Sequence, residues 1–367
     1  MVFTSGVDTA EVSGMQAVTK EQVIEALRVV EDPDVHRSIV ELDMVRSVRI
    51  KGSKVSVEIA LTIKGCPLHA VIESQVRSVL QKLPSVTEVV VTIGTMTDQE
   101  RERFAAKIRA NDVVQAPLLA EGVNTKFITV ASGKGGVGKS TVTANLAVAI
   151  ARTGRRVGVI DADIYGFSLP KLFGVADVKP AIIEDMVMPV QTHGVSLISM
   201  HFFVPSNKPV IWRGPMLGKM LRNFFQEVHW GEVDVMLLDL PPGTGDMALD
   251  VHSTLPTSRE LIVTTPQENA AEVAVRAGVM AQQVKHDVIG VVENMAYFLC
   301  PHCGERHHIF GTGGGQAVAA TLRTELLGQI PISSTEKGAN GIFPEATAEA
   351  DAFANLAEAV LLKIGLA

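Results

Sequence analysis

The 367-residue chain has three cysteines, too few to suggest a disulfide framework. Two of them, Cys300 and Cys303, lie close together, which favours metal or redox chemistry in a reducing compartment. Long apolar runs are also missing. Hydrophobic residues make up 47% of the chain, yet Gly, Thr or charge interrupts each stretch before it reaches the length of a membrane span. The opening MVFTSGVDTAEVSG has neither the cationic start and apolar run of a signal peptide nor the arginines of a transit peptide. A cytoplasmic protein with no membrane partner is expected. The formal net charge of −7 gives the chain as a whole no attraction for nucleic acid, so none is expected as a partner.

Two patterns of periodicity divide what is there. A small α+β domain is expected over residues 15–96. TKEQVIEALRVV opens with a capping-box spacing, Thr19 to Gln22, MVRSVRI and KVSVEIALTI read as a hairpin, and CPLHAVIESQVRSVLQKL reads as an amphipathic helix before the strand TEVVVTI. Residues 97–124 read as a linker holding one short charged helix that Thr97 and Glu100 could cap. From residue 125 to 367, short runs rich in Val, Ile and Leu (KFITVAS, RRVGVIDAD, VDVMLLDLP, RELIVTTP, HDVIGVVEN, ELLGQIPI) alternate with helical stretches. That alternation implies an α/β fold with a mostly parallel, doubly wound sheet covered on both faces.

GKGGVGKST, residues 133–141, follows the first of these strands and opens a helix. It fits the phosphate-loop pattern GxxxxGK[ST] over Gly133, Lys134, Gly135, Gly136, Val137, Gly138, Lys139 and Ser140. Glycines let backbone N–H groups curl toward phosphate oxygens, Lys139 would reach the β- and γ-phosphates, and Ser140 would bind Mg²⁺. A glycine-rich turn without a ligand is the bland alternative. Asp161, Asp163 and Asp239 end apolar strands, where a carboxylate can hold Mg²⁺ through water or orient an attacking water. Helix caps or turn residues are the alternative for each.

CPHCGERHH, residues 300–308, sets Cys300 and Cys303 at CxxC spacing, so both thiolates can face one metal. Two sulfurs are half of a four-thiolate site. His302, His307 or His308 would complete a zinc knuckle, a second copy would complete a shared iron–sulfur cluster, and a redox dithiol is the third reading. Cys66 precedes Pro67 at a helix start that would favour a thiolate; it is either a buried small hydrophobe or an accessory thiol for handover. Trp212 and Arg213 are either dimer buttresses or an ordinary packed pair.

KGGVGKST, DADIYGFSLP and DLPPGTGD resemble the deviant-Walker ATPases, the class that includes MinD, ParA and the nitrogenase iron protein. The resemblance implies that Lys134 crosses a homodimer interface to the other chain's nucleotide. It implies that Lys139, Ser140 and Thr141 hold phosphates and Mg²⁺, that Asp163 activates water, that Asp239 and Gly243 sense the γ-phosphate, and that Asn294 and Pro331 contact adenine. VIWRGPMLGKMLRNFF, HWGEVDVMLLDLPPGTGD, VTTPQENA, VVENMAYFLCPHCG and IFGTGGG narrow it to the Mrp/ApbC (Nbp-like) iron–sulfur carrier ATPases. EDPDVHRSIVELDMVRSV and LTIKGCPLHA resemble the SufT/PaaD-like assembly domain. The resemblance implies an ATPase using ATP and Mg²⁺, with a cluster, expected as 4Fe-4S, shared between two chains and passed to apo-proteins with the help of assembly factors. Glu268-Asn269 departs from the family's usual Asp-Val. Little effect is expected, because Glu268 can close a capping box with Thr265 across Pro266. A MinD/ParA-like positioning ATPase is the alternative, although the acidic tail ATAEADAFANLAEAVLLKIGLA is expected to pack on the sheet rather than bind lipid. A reductase of the nitrogenase iron-protein kind is a third, which the CxxC placement disfavours.

Overall fold

The computed structural model describes residues 18–62, 69–111, 118–119, 122–163, 166–203, 214–243, 250–332 and 341–366, apart from residues 34, 36, 184, 185 and 252. Cys66, Trp212 and Arg213 fall outside the described residues. The chain forms two compact units, Met1–Val113 and Val114–Ala367.

In the first unit, Thr19 caps α1 (Lys20–Leu27). Its hydroxyl accepts the Gln22 N–H while the Gln22 side chain accepts the Thr19 N–H, the reciprocal pair the spacing predicts. Strands β1 (Val45–Lys51) and β2 (Lys54–Leu61) pair antiparallel about Gly52, whose φ of 61° suits a tight turn. Helix α2 (His69–Leu80) then returns the chain so that β3 (Glu88–Thr95) lies parallel to β2. The charged helix expected in the linker is α3 (Asp98–Asn111), with Thr97 and Glu100 bonded reciprocally at its start. It is part of this unit rather than a free connector. Phe104, Ala105 and Ile108 are buried, and Glu100 takes two bonds from Arg46 of β1, at 2.7 and 2.8 Å.

The second unit is built on an eight-stranded sheet. Its strands in chain order are β4 (Lys126–Ser132), β5 (Val157–Asp161), β6 (Val190–Thr192), β7 (Val195–Ser199), β8 (Val235–Asp239), β9 (Arg259–Thr264), β10 (Asp287–Glu293) and β13 (Leu326–Gln329); β11 and β12 form a separate hairpin taken up below. The spatial order is β6-β7-β5-β8-β4-β9-β10-β13, all parallel except the edge strand β6.

Alternate side chains feed two cores. Ile128, Val130, Val157, Val159, Val235 and Leu237 pack under α4 (Lys139–Arg152) and α8 (Ala348–Ile364). Phe127, Ala131, Ile160, Met236 and Leu238 face α5 (Gly214–Gln226), α6 (Glu268–Gln283) and α7 (Gly314–Leu322). Period-two alternation with apolar residues on both faces is what a doubly covered parallel sheet requires. Helix α8, the acidic tail, buries Phe353, Leu356, Val360 and Ile364 in the first core. Among the described residues no helix is long and apolar enough to cross a membrane.

Candidate functional site

Strand β4 ends at Ser132, six residues curl, and α4 starts at Lys139. Two glycines are required by close approach. A Cβ on Gly133 would lie 2.2 Å from the backbone carbon of Val273 in α6, and one on Gly138 would lie 2.2 Å from the Asn294 amide nitrogen. Gly138 also has φ 82° and caps α4 without a side chain, leaving the helix's first N–H groups to face an anion. Gly136, at φ 86°, supplies the other left-handed position of the loop, between Gly135 and Val137.

The parallel register sets Asp239 of β8 beside Asp161 of β5. Asp239 is fully buried and accepts the Ser140 hydroxyl at 2.5 Å and the Thr143 hydroxyl at 2.7 Å, with the Lys139 ammonium 2.8 Å away. Asp161 is equally buried; it accepts the Ser199 hydroxyl at 3.0 Å and the Asp163 N–H at 3.3 Å. Burial, and then the charge of Asp239, push Asp161 up to about 8. Lys139 lies 3.9 Å from Asp163. The Asp239 and Asp163 carboxylates thus lie 2.8 and 3.9 Å from the Lys139 ammonium, with Asp161 beside Asp239 and the Ser140 hydroxyl bonded to it, so the donors here are all oxygens. Such a set fits a hard divalent cation such as Mg²⁺.

Gly243 donates its N–H to the Ser132 carbonyl at 2.8 Å, which holds the segment after Asp239 against the start of the phosphate loop. Asn294 gives its amide to the Val137 carbonyl at 2.8 Å, so it braces the loop. Pro331 is buried between Ile330 and Ile332, whose N–H groups bond to Glu293 and Tyr297. Asn294 and Pro331 therefore flank the same end of β10. Lys134 is exposed to its neighbour Asn269, whose amide oxygen accepts its ammonium at 3.1 Å. Thr141 lies in the first turn of α4.

Beyond Asn294 the chain enters a hairpin of β11 (Phe298–Leu299) and β12 (Arg306–His307). Its tip is a turn in which Cys300 accepts from the Gly304 N–H and donates to the Glu305 carbonyl, with Gly304 at φ 74°. Cys300 is half-buried and Cys303 exposed. The N–H groups of Cys303 and His302, then the Cys303 thiol, hold the Cys300 thiol below its ordinary pKa. His302 and His307 point out to solvent, while His308 bonds through Nδ1 to the Ala296 carbonyl. Tyr297 anchors the hairpin, with the Arg306 guanidinium 4.5 Å above its ring. Among the described residues no third Cys, His, Asp or Glu joins Cys300 and Cys303 as a metal site, so the described part of one chain brings two sulfurs.

Some contributors were not read from the sequence. Thr143 sits one turn beyond Ser140, and that i, i+3 spacing was its only signal. Ser199 ends β7, a strand the pattern reading did not single out. Glu293 ties α7 to β10 by accepting the Gly315 N–H and the Gln329 amide, at 2.7 and 2.6 Å. The expected Thr265–Glu268 capping box is not formed. Gln267 caps α6 and Glu268 is its first residue, while the Thr265 hydroxyl is buried without a partner. The Thr265–Pro266 segment is pressed against Gly314 of α7, where a Cβ would lie 2.5 Å from the Pro266 carbonyl, so the helix starts later. At the departure from the family's usual pair, the Asn269 side chain accepts a bond from the Lys134 ammonium.

The pattern of the NUBPL iron-transfer P-loop NTPase family matches residues 123–361, and that of an iron–sulfur cluster assembly protein matches residues 20–91. An iron–sulfur cluster carrier protein of Bacillus subtilis is 46% identical over 321 residues, covering 87% of this chain and 90% of that protein. One from Synechocystis is 38% identical over 362 residues, covering 95% of this chain and 99% of that one. A solved nucleotide-binding protein from Archaeoglobus fulgidus, in complex with ADP, shares 39% identity, covers 67% of this chain and 90% of its own, and superposes with a TM-score of 0.53.

Proposed function

Because the chain belongs to the NUBPL iron-transfer P-loop NTPase family, we propose that it hydrolyses ATP to load or release an iron–sulfur cluster carried between two copies of itself. One observation carries the reading. The phosphate loop and the thiolate hairpin leave the same C-terminal edge of one parallel sheet, from β4 and β10, and Asn294 ties them together. A change in the loop therefore has a short bonded route to the sulfurs.

In this reading, backbone N–H groups of Gly135–Ser140 and the Lys139 ammonium bind the phosphates, and Thr141 adds a hydroxyl. Ser140, with Asp161 and Asp239 acting through water, would hold Mg²⁺, which would offset phosphate charge. Asp163 orients the water that attacks the γ-phosphorus, the bond to the ADP oxygen breaks, and inorganic phosphate leaves. Lys134 of the partner subunit, released from its own Asn269, adds the charge that makes hydrolysis depend on two copies. Gly243 would sense the γ-phosphate, and Asn294 and Pro331 would contact the base.

Cys300 and Cys303 from each copy supply four thiolates for the cargo, expected as 4Fe-4S. Clients would be apo-proteins, with the first unit serving contact with assembly factors, in keeping with its family match. The test is anaerobic loading followed by transfer to an apo-acceptor, with and without ATP. Transfer should require Cys300 and Cys303 and change with Lys139→Ala. Transfer by Cys300→Ala at the unsubstituted rate would end the reading.

A further inference from the structure

Immediately after β12 the chain presents two large apolar side chains to water. Ile309 is 59% exposed and Phe310 38%. Their position is imposed by the turn that holds them. His308 is bonded to Ala296, the Ile309 N–H to the His307 carbonyl at 3.2 Å and the Gly311 N–H to the His308 carbonyl at 3.3 Å, with Gly311 at φ 89°. Every residue from Pro301 to Gly313 is exposed, so Ile309 and Phe310 belong to one continuous exposed stretch of chain with Cys303.

We infer that Ile309 and Phe310 form an apolar contact with a second copy of this chain, closing a dry wall beside the paired thiolates. The inference rests on the carrier reading and adds the surface that reading leaves open. Two observations select a second copy. The described residues of one chain bring two sulfurs together, so a four-thiolate site is incomplete without another chain. The exposed stretch also carries one acid, Glu305, and one base, Arg306, so it is neutral in a chain of net charge −7. Two copies meeting there avoid the repulsion that the rest of their surfaces would bring, and a strongly charged partner finds no field to match. An apolar wall also keeps water from the sulfurs, which slows loss of the cargo.

The test compares the full chain with the double variant Ile309→Ser, Phe310→Ser, and with Ile182→Ser as a control at another exposed isoleucine. Sedimentation velocity over a range of concentrations reads self-association, with an ATP analogue and with ferrous iron plus sulfide supplied anaerobically. ADP affinity checks that the fold is intact. In a two-fold contact each substitution acts twice, so association should weaken by about tenfold or more in the double variant and not in Ile182→Ser. Iron should then pass to a chelator faster from the double variant. Unchanged association overturns the inference, and so does a wild-type chain that stays monomeric in both conditions. If association is unchanged but transfer to an apo-acceptor falls, the patch faces a client and the inference is again overturned. Weakened association in a chain that takes up no iron upholds the contact while the carrier reading fails.

Discussion

At the scale of single residues, Asp239 is where three donors converge, from Lys139, Ser140 and Thr143. Asp239→Asn keeps the shape and removes the charge, leaving the buried Lys139 ammonium short of its nearest counter-ion. ATP hydrolysis should fall by about a hundredfold or more, and stability by about 3 kcal/mol. Phosphate release and urea midpoints read the two effects. Near-normal turnover would show that Asp239 is only structural.

Glu260 gives a separate pH signature. Burial in β9 pushes its carboxyl up to about 8, so between about pH 4.5 and about pH 8 the folded chain holds a proton that the unfolded chain has lost. Its contribution to stability is complete at the acid end of that window and declines as pH rises, by up to about 1.4 kcal/mol per pH unit. Glu260→Gln should flatten that decline in urea midpoints taken across the window. An unaltered slope would contradict the assignment. Gly133, Lys139 and Ser140 were legible because a short contiguous pattern specifies them. Ser199 and Asn269 were not, since each acts on a residue far away in sequence, Asp161 and Lys134, that only the assembled sheet and α6 bring near.

At the scale of elements, the hairpin β11–β12 stands on Tyr297, which is held between the Arg306 guanidinium and the His308 ring, 6.4 Å centroid to centroid. Tyr297→Leu removes both contacts while leaving the phosphate loop untouched. We expect bound iron to reach a chelator several-fold faster, with ATP hydrolysis unchanged; equal rates of iron loss would mean the turn bonds alone fix the sulfurs.

The CxxC spacing made the sulfur pair legible, but not the hairpin. Two-residue strands are too short to show periodicity, and the pairing is fixed by Tyr297 and His308. The same physics explains the strands. β4, β5, β8, β9 and β10 are buried on both faces and read as continuous apolar runs, whereas β6 and β7 meet at His193–Gly194 and mix Gln, Thr and Ser among their apolar residues. The capping box at α6 misled because Thr265 and Pro266 answer to packing against α7 rather than to local capping.

At the scale of the whole molecule, the proposed dimer would give each copy half of two sites, two thiolates of four and one lysine for the other copy's nucleotide. Lys134→Ala should therefore lower ATP turnover and remove its rise with protein concentration, while ADP binding to the single chain stays intact. Turnover per chain that rises with concentration as before would place Lys134 outside the shared site. The doubly wound sheet was legible because strand, loop and helix alternate along one stretch of chain. The spatial order of strands, which sets Asp161 beside Asp239, is a product of the crossovers and has no local signature.

The most direct measurement of the central claim counts iron and sulfide on anaerobically loaded protein while its mass is read by sedimentation, for the unsubstituted chain and for Cys300→Ala with Cys303→Ala. One cluster per two chains, lost together with the dimer-borne iron in the double variant, is the predicted result. A cluster held by a single chain, or iron retained equally without the two cysteines, would contradict it.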